Sequence, residues 1–102
     1  MYSLVVRFDV RPTALAAFDA LVESLVEDIR TLESGTLAYI PGTVADDPHA
    51  RLFIEVYRDE DAFAAHEAQP HTQEFLRLRE PMVRSFRVEF VTSQPCVFPT
   101  IG

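Results

Sequence analysis

Two kinds of hydrophobic repeat divide the first third of the chain. Over residues 2–10, apolar side chains occupy every second position, which predicts a β-strand with one buried face. From residue 12 to about residue 33 they recur at every third or fourth position, which predicts an amphipathic helix. Gly35 is expected to end this helix, because glycine commonly follows the last helical residue.

A hairpin is predicted next. Residues 36–44 form the second strand, in which Pro41 and Gly42 predict a bulge or an edge position, because proline cannot donate a hydrogen bond within a sheet. Residues 45–50 (ADDPHA) have the composition of a turn. Residues 51–58 (RLFIEVYR) are predicted to form the third strand.

Two shorter helices and a fourth strand complete the pattern. Asp59 is a suitable N-cap for the first of these helices, and Pro70 ends it or starts the next one. Pro81 ends or kinks the second helix, because it removes a backbone donor. Residues 85–93 are predicted to form the last strand, and residues 94–102 are expected to form an extended arm.

The predicted order, β-α-β-β-α(α)-β, is the split βαβ or ferredoxin-like pattern. It makes residues 1–102 a single α+β domain, in which helices cover one face of a four-stranded antiparallel sheet. Both faces carry large apolar side chains and must be covered, so we expect a second copy to pack sheet on sheet in a homodimer. The expected faces are Leu4, Val6, Ile54, Val88 and Phe90 on one side, and Phe53, Tyr57 and Val91 on the other.

Composition excludes several kinds of function. The chain has nine Arg, no Lys and sixteen Asp or Glu, and its net charge of −7 argues against nucleic acids and anionic membranes as partners. Without lysine, Schiff-base catalysis is excluded. Cys96 is the single cysteine, so no internal disulfide can form. The first residues do not resemble a signal peptide, and no stretch approaches about 18 apolar residues. We therefore expect a cytoplasmic protein.

Two of the three histidines are candidates for proton transfer. His49 falls in the predicted turn and is expected to be an exposed loop residue. His66 shares a helical face with Ala62 and Phe63, so its side chain should point inward. His71 follows in the first turn of the next helix, whose positive end disfavours the imidazolium form. The alternative is that both histidines only join the two helices by hydrogen bonds.

A metal site is not expected at these histidines. His66 and Glu67, followed by His71, invite comparison with the H-E-x-x-H motif, but the spacing is one residue too long. Pro70 also interrupts the helix between the two histidines, so their imidazoles would not share a helical face. No third ligand is evident nearby in the sequence.

Polar groups on the third strand allow two interpretations. Glu55 lies between Phe53 and Tyr57 on one face, and charges on a covered face must be paired. One interpretation is therefore a structural network of arginine and glutamate side chains. The other is a small-molecule cleft with apolar walls and a few polar groups, opening at Tyr57. The charged residues expected to join this face from neighbouring strands are Arg7, Asp9, Arg87 and Glu89.

An ordered series of short motifs resembles the antibiotic biosynthesis monooxygenase domain family, the dimeric α+β barrels. The resemblance covers about residues 4–94, and the run AAHEAQPHTQEF is most similar to the quinol monooxygenase branch. The markers, in chain order, are Glu33-Ser34-Gly35, Tyr39, Asp47-Pro48, Glu55-Val56-Tyr57, Asp61–His66 and Pro70-His71.

The resemblance implies a homodimer with one pocket per subunit, between the sheet and the helices. Several family members oxidise hydroquinones or anthrones with molecular oxygen and without metal, flavin or haem, because a deprotonated, electron-rich aromatic can itself reduce oxygen. The resemblance makes His66 the base or proton shuttle, Tyr57 the hydroxyl that orients the substrate, and His71 a second donor. The implied substrate contacts are Arg7, Tyr39, Phe53, Glu55, Phe63 and Phe75.

The expected function is that of a cofactor-free monooxygenase acting on a quinol, an anthrone or a polyketide-like phenol. The haem-degrading branch of the family is disfavoured, because its Asn, Trp and His are replaced by Arg7, Tyr57 and Leu76, and the chain has no Trp. Two alternatives stay open: a non-catalytic dimeric module that binds small molecules, and an isomerase of a small phosphorylated metabolite. The arginines available to bind such a phosphate are Arg7, Arg77, Arg79 and Arg84.

Overall fold

The computed structural model describes residues 1–99 and has the predicted ferredoxin-like α+β architecture. Its strands are β1 (Tyr2–Val10), β2 (Thr36–Val44), β3 (Asp47–Tyr57) and β4 (Val83–Thr92). They form an antiparallel sheet in the order β2-β3-β1-β4. Its helices are α1 (Leu15–Leu32), α2 (Glu60–Ala68) and α3 (Pro70–Arg79), and 3₁₀ turns precede α1 and β4. Over this described part of the chain, no helix is long and apolar enough to cross a membrane.

The inner face of the sheet, defined as the face that the helices cover, contains the hydrophobic core. Four phenylalanines meet there: Phe8 and Phe53 from the sheet, Phe18 from α1 and Phe75 from α3. Their ring centroids are 4.9–6.4 Å apart, the range in which aromatic pairs attract each other. This cluster fixes α1 and α3 over the two central strands.

The outer face, on the opposite side of the sheet, differs from the one expected. Leu4 of β1 lies opposite Glu55 of β3, and Val5 lies opposite Ile54. Because directly opposed residues share a face, Ile54 belongs to the outer face, as does Val91 of β4. Both expected groups are wrong: Phe53 and Tyr57 share the inner face with Leu4 and Val6, whereas Ile54 and Val91 do not. Alternation within one strand cannot reveal this, since a register shift of one residue exchanges the two faces.

The hairpin between β2 and β3 is tighter than its composition suggests. β3 begins at Asp47 rather than at Arg51, so the turn consists only of Ala45 and Asp46. Asp46 adopts a φ of 63°, a left-handed conformation that aspartate tolerates better than most residues. As a consequence, His49 lies half-buried within a strand and not in an exposed loop.

The edge position predicted from Pro41 is confirmed, because β2 is an edge strand. An edge strand tolerates proline, whose missing N–H then leaves no gap between two paired strands. The register irregularities of the β2–β3 pair lie between Thr36 and Ala38 and between Thr43 and Val44. Neither irregularity is at Pro41 itself.

Gly35 allows close packing and does not form a left-handed helix cap. α1 ends with Glu33 as an extended C-cap residue at φ −119°. A Cβ atom on Gly35 would lie 2.7 Å from the Cβ atom of Ala62, closer than real Cβ contacts. The predicted N-cap is confirmed, since the Asp59 carboxylate accepts a hydrogen bond from the Ala62 N–H at 2.8 Å. The start of α2 therefore packs directly against the segment that carries Glu33.

The C-terminal part of the chain follows the prediction with one shift. β4 begins at Val83, two residues before the predicted start, directly after the 3₁₀ turn Glu80–Met82. Residues 93–99 belong to no helix or strand. The end of the predicted arm, residues 100–102, lies outside the described residues.

Candidate active site

A cavity of about 230 Å³ lies between the inner face of the sheet and helices α2 and α3. An apolar cavity with a few polar groups is typical of small-molecule sites. Its apolar walls are Leu4, Val6, Phe8, Phe63, Phe75, Leu76, Phe86, Val88 and Phe90. Its polar groups are Tyr39, Glu55, His66, Glu67, Thr72 and Arg79.

Glu33 joins the two histidines that the sequence singled out. Its Oε1 atom lies 2.8 Å from His66 Nδ1, and its Oε2 atom lies 2.5 Å from His71 Nε2. The Thr36 hydroxyl donates a further hydrogen bond to Oε1 at 2.6 Å. The Glu33 side chain is 4% exposed, and the two imidazoles are 5% and 8% exposed. One buried carboxylate thus links the end of α1 to both α2 and α3.

The charge state of Glu33 decides which nitrogen of His66 is free. Burial by itself raises the pKa of the Glu33 carboxyl, but hydrogen bonds from Thr36 and His71, together with the nearby His66, lower that pKa below its usual 4.5. An ionised carboxylate can only accept hydrogen bonds, so His66 donates to it from Nδ1. Nε2 is then the nitrogen of the neutral imidazole that can accept a proton.

Aromatic rings surround His66. Its ring centroid lies 5.3 Å from that of Tyr57, 5.6 Å from that of Tyr39 and 6.5 Å from that of Phe63. The imidazole is therefore held by packing on its faces and by a carboxylate at one edge. His66 thus lines the cavity with an imidazole that is largely shielded from water.

A second titratable group faces the same cavity. Glu55 is 5% exposed, and its Oε1 atom accepts a hydrogen bond from the Tyr57 hydroxyl at 2.6 Å. Burial raises the pKa of Glu55 to about 7, the Tyr57 hydrogen bond opposes this rise, and the carboxylates of Glu67 and Glu33 add to it. A carboxyl group of this pKa can take up and release a proton near neutral pH.

Tyr39 supplies a neutral hydroxyl to the cavity. Burial, followed by the negative charges of Glu55, Glu33 and Glu67, raises the pKa of Tyr39 well above its usual 10. Burial and the neighbouring Glu55 raise the pKa of Tyr57 in the same way. Both phenols therefore remain protonated over the physiological pH range and act as hydrogen-bond donors.

Five of the nine predicted site residues line this cavity, and two others contact residues of the site from behind. The buried Tyr57 hydroxyl reaches Glu55, and His71 reaches Glu33. The Tyr57 hydroxyl therefore does not line the cavity and is linked to it only through its hydrogen bond to Glu55. The five lining residues are Tyr39, Glu55, Phe63, His66 and Phe75.

Arg7 and Phe53 lie away from the cavity. Arg7 is on the outer face, where its Nη2 atom lies 2.8 Å from Asp47 Oδ2, and the sheet separates it from the cavity. Phe53 is 1% exposed within the phenylalanine cluster and borders a different cavity, next to α1. The predicted network with Arg87 and Glu89 does not form on the inner face, because the register places both residues on the outer face.

The donor groups of the site are engaged with one another. His66 and His71 each hydrogen-bond to one oxygen of the Glu33 carboxylate. Among residues 1–99, no group of three or more His, Cys, Asp or Glu side chains is arranged to hold a metal ion.

The family model for antibiotic biosynthesis monooxygenases matches residues 1–78. The chain belongs to the antibiotic biosynthesis monooxygenase family. A crystal structure of an antibiotic biosynthesis monooxygenase is 27% identical, with a TM-score of 0.85, and the match covers 93% of this chain and 100% of that one. Membership in this family supports a general monooxygenase-like role.

Two more distant solved structures share the fold. Rv0793 from Mycobacterium tuberculosis is 23% identical with a TM-score of 0.88, over 95% of this chain and 98% of that one. PA3566 from Pseudomonas aeruginosa is 23% identical with a TM-score of 0.84, over 92% and 94% of the two chains. No curated protein matches this chain significantly.

Sequence reasoning assigned no role at this site to Glu33, Glu67 or Thr72, and it offered Arg79 only as one of four arginines for a phosphate. Glu33 belongs to a recognised family motif, but its histidine partners lie 33 and 38 residues away in sequence, so only the fold reveals its role. Thr72 and Arg79 are seven residues apart, a spacing that places both on one side of a helix. Phe75 lies three residues after Thr72 and four residues before Arg79. The helical repeat could therefore have placed both residues on the same side of α3 as Phe75. Glu67 carried no such signal.

Proposed function

We propose that this family member is a cofactor-independent monooxygenase that transfers one atom of molecular oxygen to a small, electron-rich aromatic such as a quinol, an anthrone or a polyketide-like phenol. The observation that carries the proposal is the Glu33–His66 pair at an apolar cavity. The volume of about 230 Å³ is below the roughly 300–1,000 Å³ of pockets for drug-sized ligands. It favours quinols and phenols of one or two rings over three-ring anthrones.

His66 acts as the general base in this mechanism. Its Nε2 atom removes the proton from a substrate hydroxyl, and the Glu33 carboxylate stabilises the imidazolium that forms. The resulting phenolate is electron-rich and reduces oxygen directly. One oxygen atom becomes bonded to a ring carbon and the other leaves as water. A hydroquinone thereby gives a hydroxyquinone and one water, and the substrate supplies all the electrons.

Glu55 and Tyr39 complete the proton transfers. With its pKa raised to about 7, the Glu55 carboxyl is partly protonated at neutral pH and can protonate the oxygen atom that leaves as water. The protonated Tyr39 hydroxyl can donate a hydrogen bond to a developing negative charge on the substrate. His66 and Glu55 are 4% and 5% exposed, and electrostatic interactions are stronger in such a desolvated setting.

The proposal includes a homodimer in which the outer faces of two sheets pack against each other. Exposed apolar side chains on this face support it: Ile40 is 54% exposed, and Ile54 and Val91 are each 44% exposed. Exposed apolar side chains on one sheet face are typical of an interface. Sedimentation at micromolar concentration should show a dimer, and Ile54→Asp should convert it to a monomer. A wild-type monomer would refute this arrangement.

The activity is tested by oxygen uptake. The protein, treated with a chelator and free of added flavin, is mixed with a panel of hydroquinones and phenols in an oxygen electrode. We expect at least one substrate to consume oxygen faster than it does in buffer alone, with one hydroxyquinone formed per oxygen consumed. If no member of a broad panel exceeds the buffer rate, the chain is a binding module or an isomerase.

The isomerase alternative loses support from the placement of the arginines. Arg7 is on the outer face, Arg77 is exposed and paired with Glu74, and Arg84 lies 3.7 Å from the Asp9 carboxylate. Only one of the four candidate arginines lines the cavity, whereas a phosphorylated substrate calls for a cluster of basic groups. A cytoplasmic site of action stays a prediction from the sequence.

A further inference from the structure

Two polar atoms in the cavity wall have no role in the mechanism above. Within residues 1–99, Thr72 Oγ1 and Arg79 Nε are the buried side-chain atoms without a hydrogen-bond partner. Both residues line the cavity, and Thr72 is only 3% exposed. They lie on α3, seven residues or about two turns apart. Buried polar groups are normally satisfied, so these two atoms show that α3 brings polar side chains to the cavity without giving them partners inside the protein.

Arg79 stands out among the charged residues of the cavity. Its side chain is 12% exposed, and its guanidinium carbon lies 4.5 Å from the ring centroid of Phe86 and 5.8 Å from that of Phe8. Its ion pair is weak, because Nη1 is 4.0 Å from a Glu80 carboxylate that is 80% exposed. A nearly buried guanidinium packed on aromatic rings, without a close carboxylate, is prepared to receive an anion.

The cavity has two chemically different ends. Leu4 of β1 lies opposite Glu55, so this part of the strand is near the acidic end. Phe8, which packs under Arg79, is four residues further along β1, about 13 Å away at 3.3 Å per residue. The acidic groups and the cation therefore lie over different parts of β1 in one apolar cavity. A ligand that contacts both carries a hydroxyl on one side and an anion on the other.

We propose that Arg79 binds a carboxylate of the substrate, so that the substrate is a hydroxylated aromatic acid whose hydroxyl-bearing ring points toward His66. The planar guanidinium presents a fork of N–H donors that matches a carboxylate in a bidentate pair. A single arginine in a small apolar cavity suits one carboxylate, whereas a phosphate would call for further cations. This inference specifies the substrate class of the proposed monooxygenase and rests on that function for the orientation of the ring.

Binding measured without oxygen tests the carboxylate site separately from catalysis. Gentisate and homogentisate, which are carboxylated hydroquinones, are each compared with their neutral methyl esters by anaerobic calorimetry. We expect each acid to bind about 10- to 100-fold more tightly than its ester, the range that a hydrogen bond to a charged group supplies. Arg79→Gln should abolish this preference without weakening the esters.

Arg77→Gln is the matched control, because Arg77 is on the same helix but is exposed and paired with Glu74. It should leave the preference for the acids unchanged. Equal binding of acid and ester to the wild type, failure of both acids to bind, or an equal loss in both variants would overturn the carboxylate site. Tight, Arg79-dependent binding without oxygen uptake would instead retain this site and reject the monooxygenase. Oxidation of neutral quinols without a preference for the acids would retain the monooxygenase and reject the carboxylate site.

Discussion

The two faces of the sheet differ in how far they bury polar side chains. On the inner face, Glu55 is 5% exposed, and its pKa is raised to about 7. On the outer face, the side chains of the Arg7–Asp47 pair remain 40% and 45% exposed. Burial removes water from the inner carboxyl, which therefore exchanges protons near neutral pH. In the single chain the outer ions are about half exposed, and such a pair contributes little to stability. Burial on one face therefore turns a common residue type into a reactive one.

The largest difference in the effect of a substitution on the free energy of unfolding is expected between the adjacent residues Phe53 and Ile54. These residues are 1% and 44% exposed. Phe53→Ala should lower the free energy of unfolding by about 3–5 kcal/mol at every protein concentration, because it opens a cavity in the core. Ile54→Ala should lower it only at concentrations where dimers form. Urea denaturation at several concentrations measures both. A large loss for Ile54→Ala that does not depend on concentration would contradict this division between the faces.

The pH dependence of stability compares Glu55 with Glu23, an exposed carboxylate of α1 outside the sheet. The pKa of Glu55 is raised from 4.5 to about 7, so the folded state binds the proton more tightly. The associated stability is complete below about pH 4.5 and is lost as the pH rises through about 7. At about 1.4 kcal/mol per pKa unit, the loss is about 3 kcal/mol.

Glu55→Gln should remove this loss, and Glu23→Gln should retain it. Unfolding free energies at pH 4.5 and pH 8 provide the test. If wild type and Glu55→Gln lose the same stability between these two pH values, then Glu55 is not a buried, proton-binding carboxyl.

Glu33 is expected to act as a positioning residue for His66. Glu33→Gln keeps the shape of the side chain but replaces the hydrogen bonds between imidazole and carboxylate, which are worth about 1.5–3 kcal/mol each when charge-assisted. We expect kcat to fall about 10- to 100-fold and the acidic limb of its pH profile to move to lower pH, because imidazolium loses its counter-ion. Glu27→Gln, an exposed residue of α1 that pairs with Arg30, is the control. An unchanged pH profile would reduce Glu33 to a purely structural residue.

The smallest effect is expected for Tyr57, whose hydroxyl contacts Glu55 and not the cavity. Tyr57→Phe removes one neutral hydrogen bond, worth about 0.5–1.5 kcal/mol, so kcat should fall about threefold to tenfold. The pKa of Glu55 should rise further, because that hydrogen bond opposes its rise. Loss of turnover in Tyr57→Phe, with turnover retained in His66→Phe, would transfer the role of base to the tyrosine.

The local sequence pattern was sufficient to predict the helices and strands and the inward direction of the His66 side chain. The alternation over residues 2–10 and the helical repeat that follows each depend on neighbours within a few positions, which the sequence displays directly. The register of the strands depends on pairing across the sheet, so Arg7 and Ile54 were assigned to the wrong face. The turn predicted over residues 45–50 was too long, since β3 already begins at Asp47. Asp and Pro at the start of a strand resemble a turn in composition.

The candidate site was predictable only in part for the same physical reason. His66, Glu55 and Tyr39 belong to motifs that the sequence shows, and the fold brings all three to one cavity. The link through Glu33 joins residues more than thirty positions apart, and Gly35 permits it by a close approach that no local pattern encodes.

The central claim is that His66, in the inner-face cavity, is the base of a cofactor-free oxidation. The most direct measurement is kcat for oxygen uptake by His66→Phe, beside His49→Phe, which changes a half-buried histidine of β3 that does not line the cavity. Loss of a general base costs about 10²–10⁴-fold. We predict that loss for His66→Phe and a wild-type rate for His49→Phe, with both variants dimeric. A wild-type kcat in His66→Phe would contradict the account.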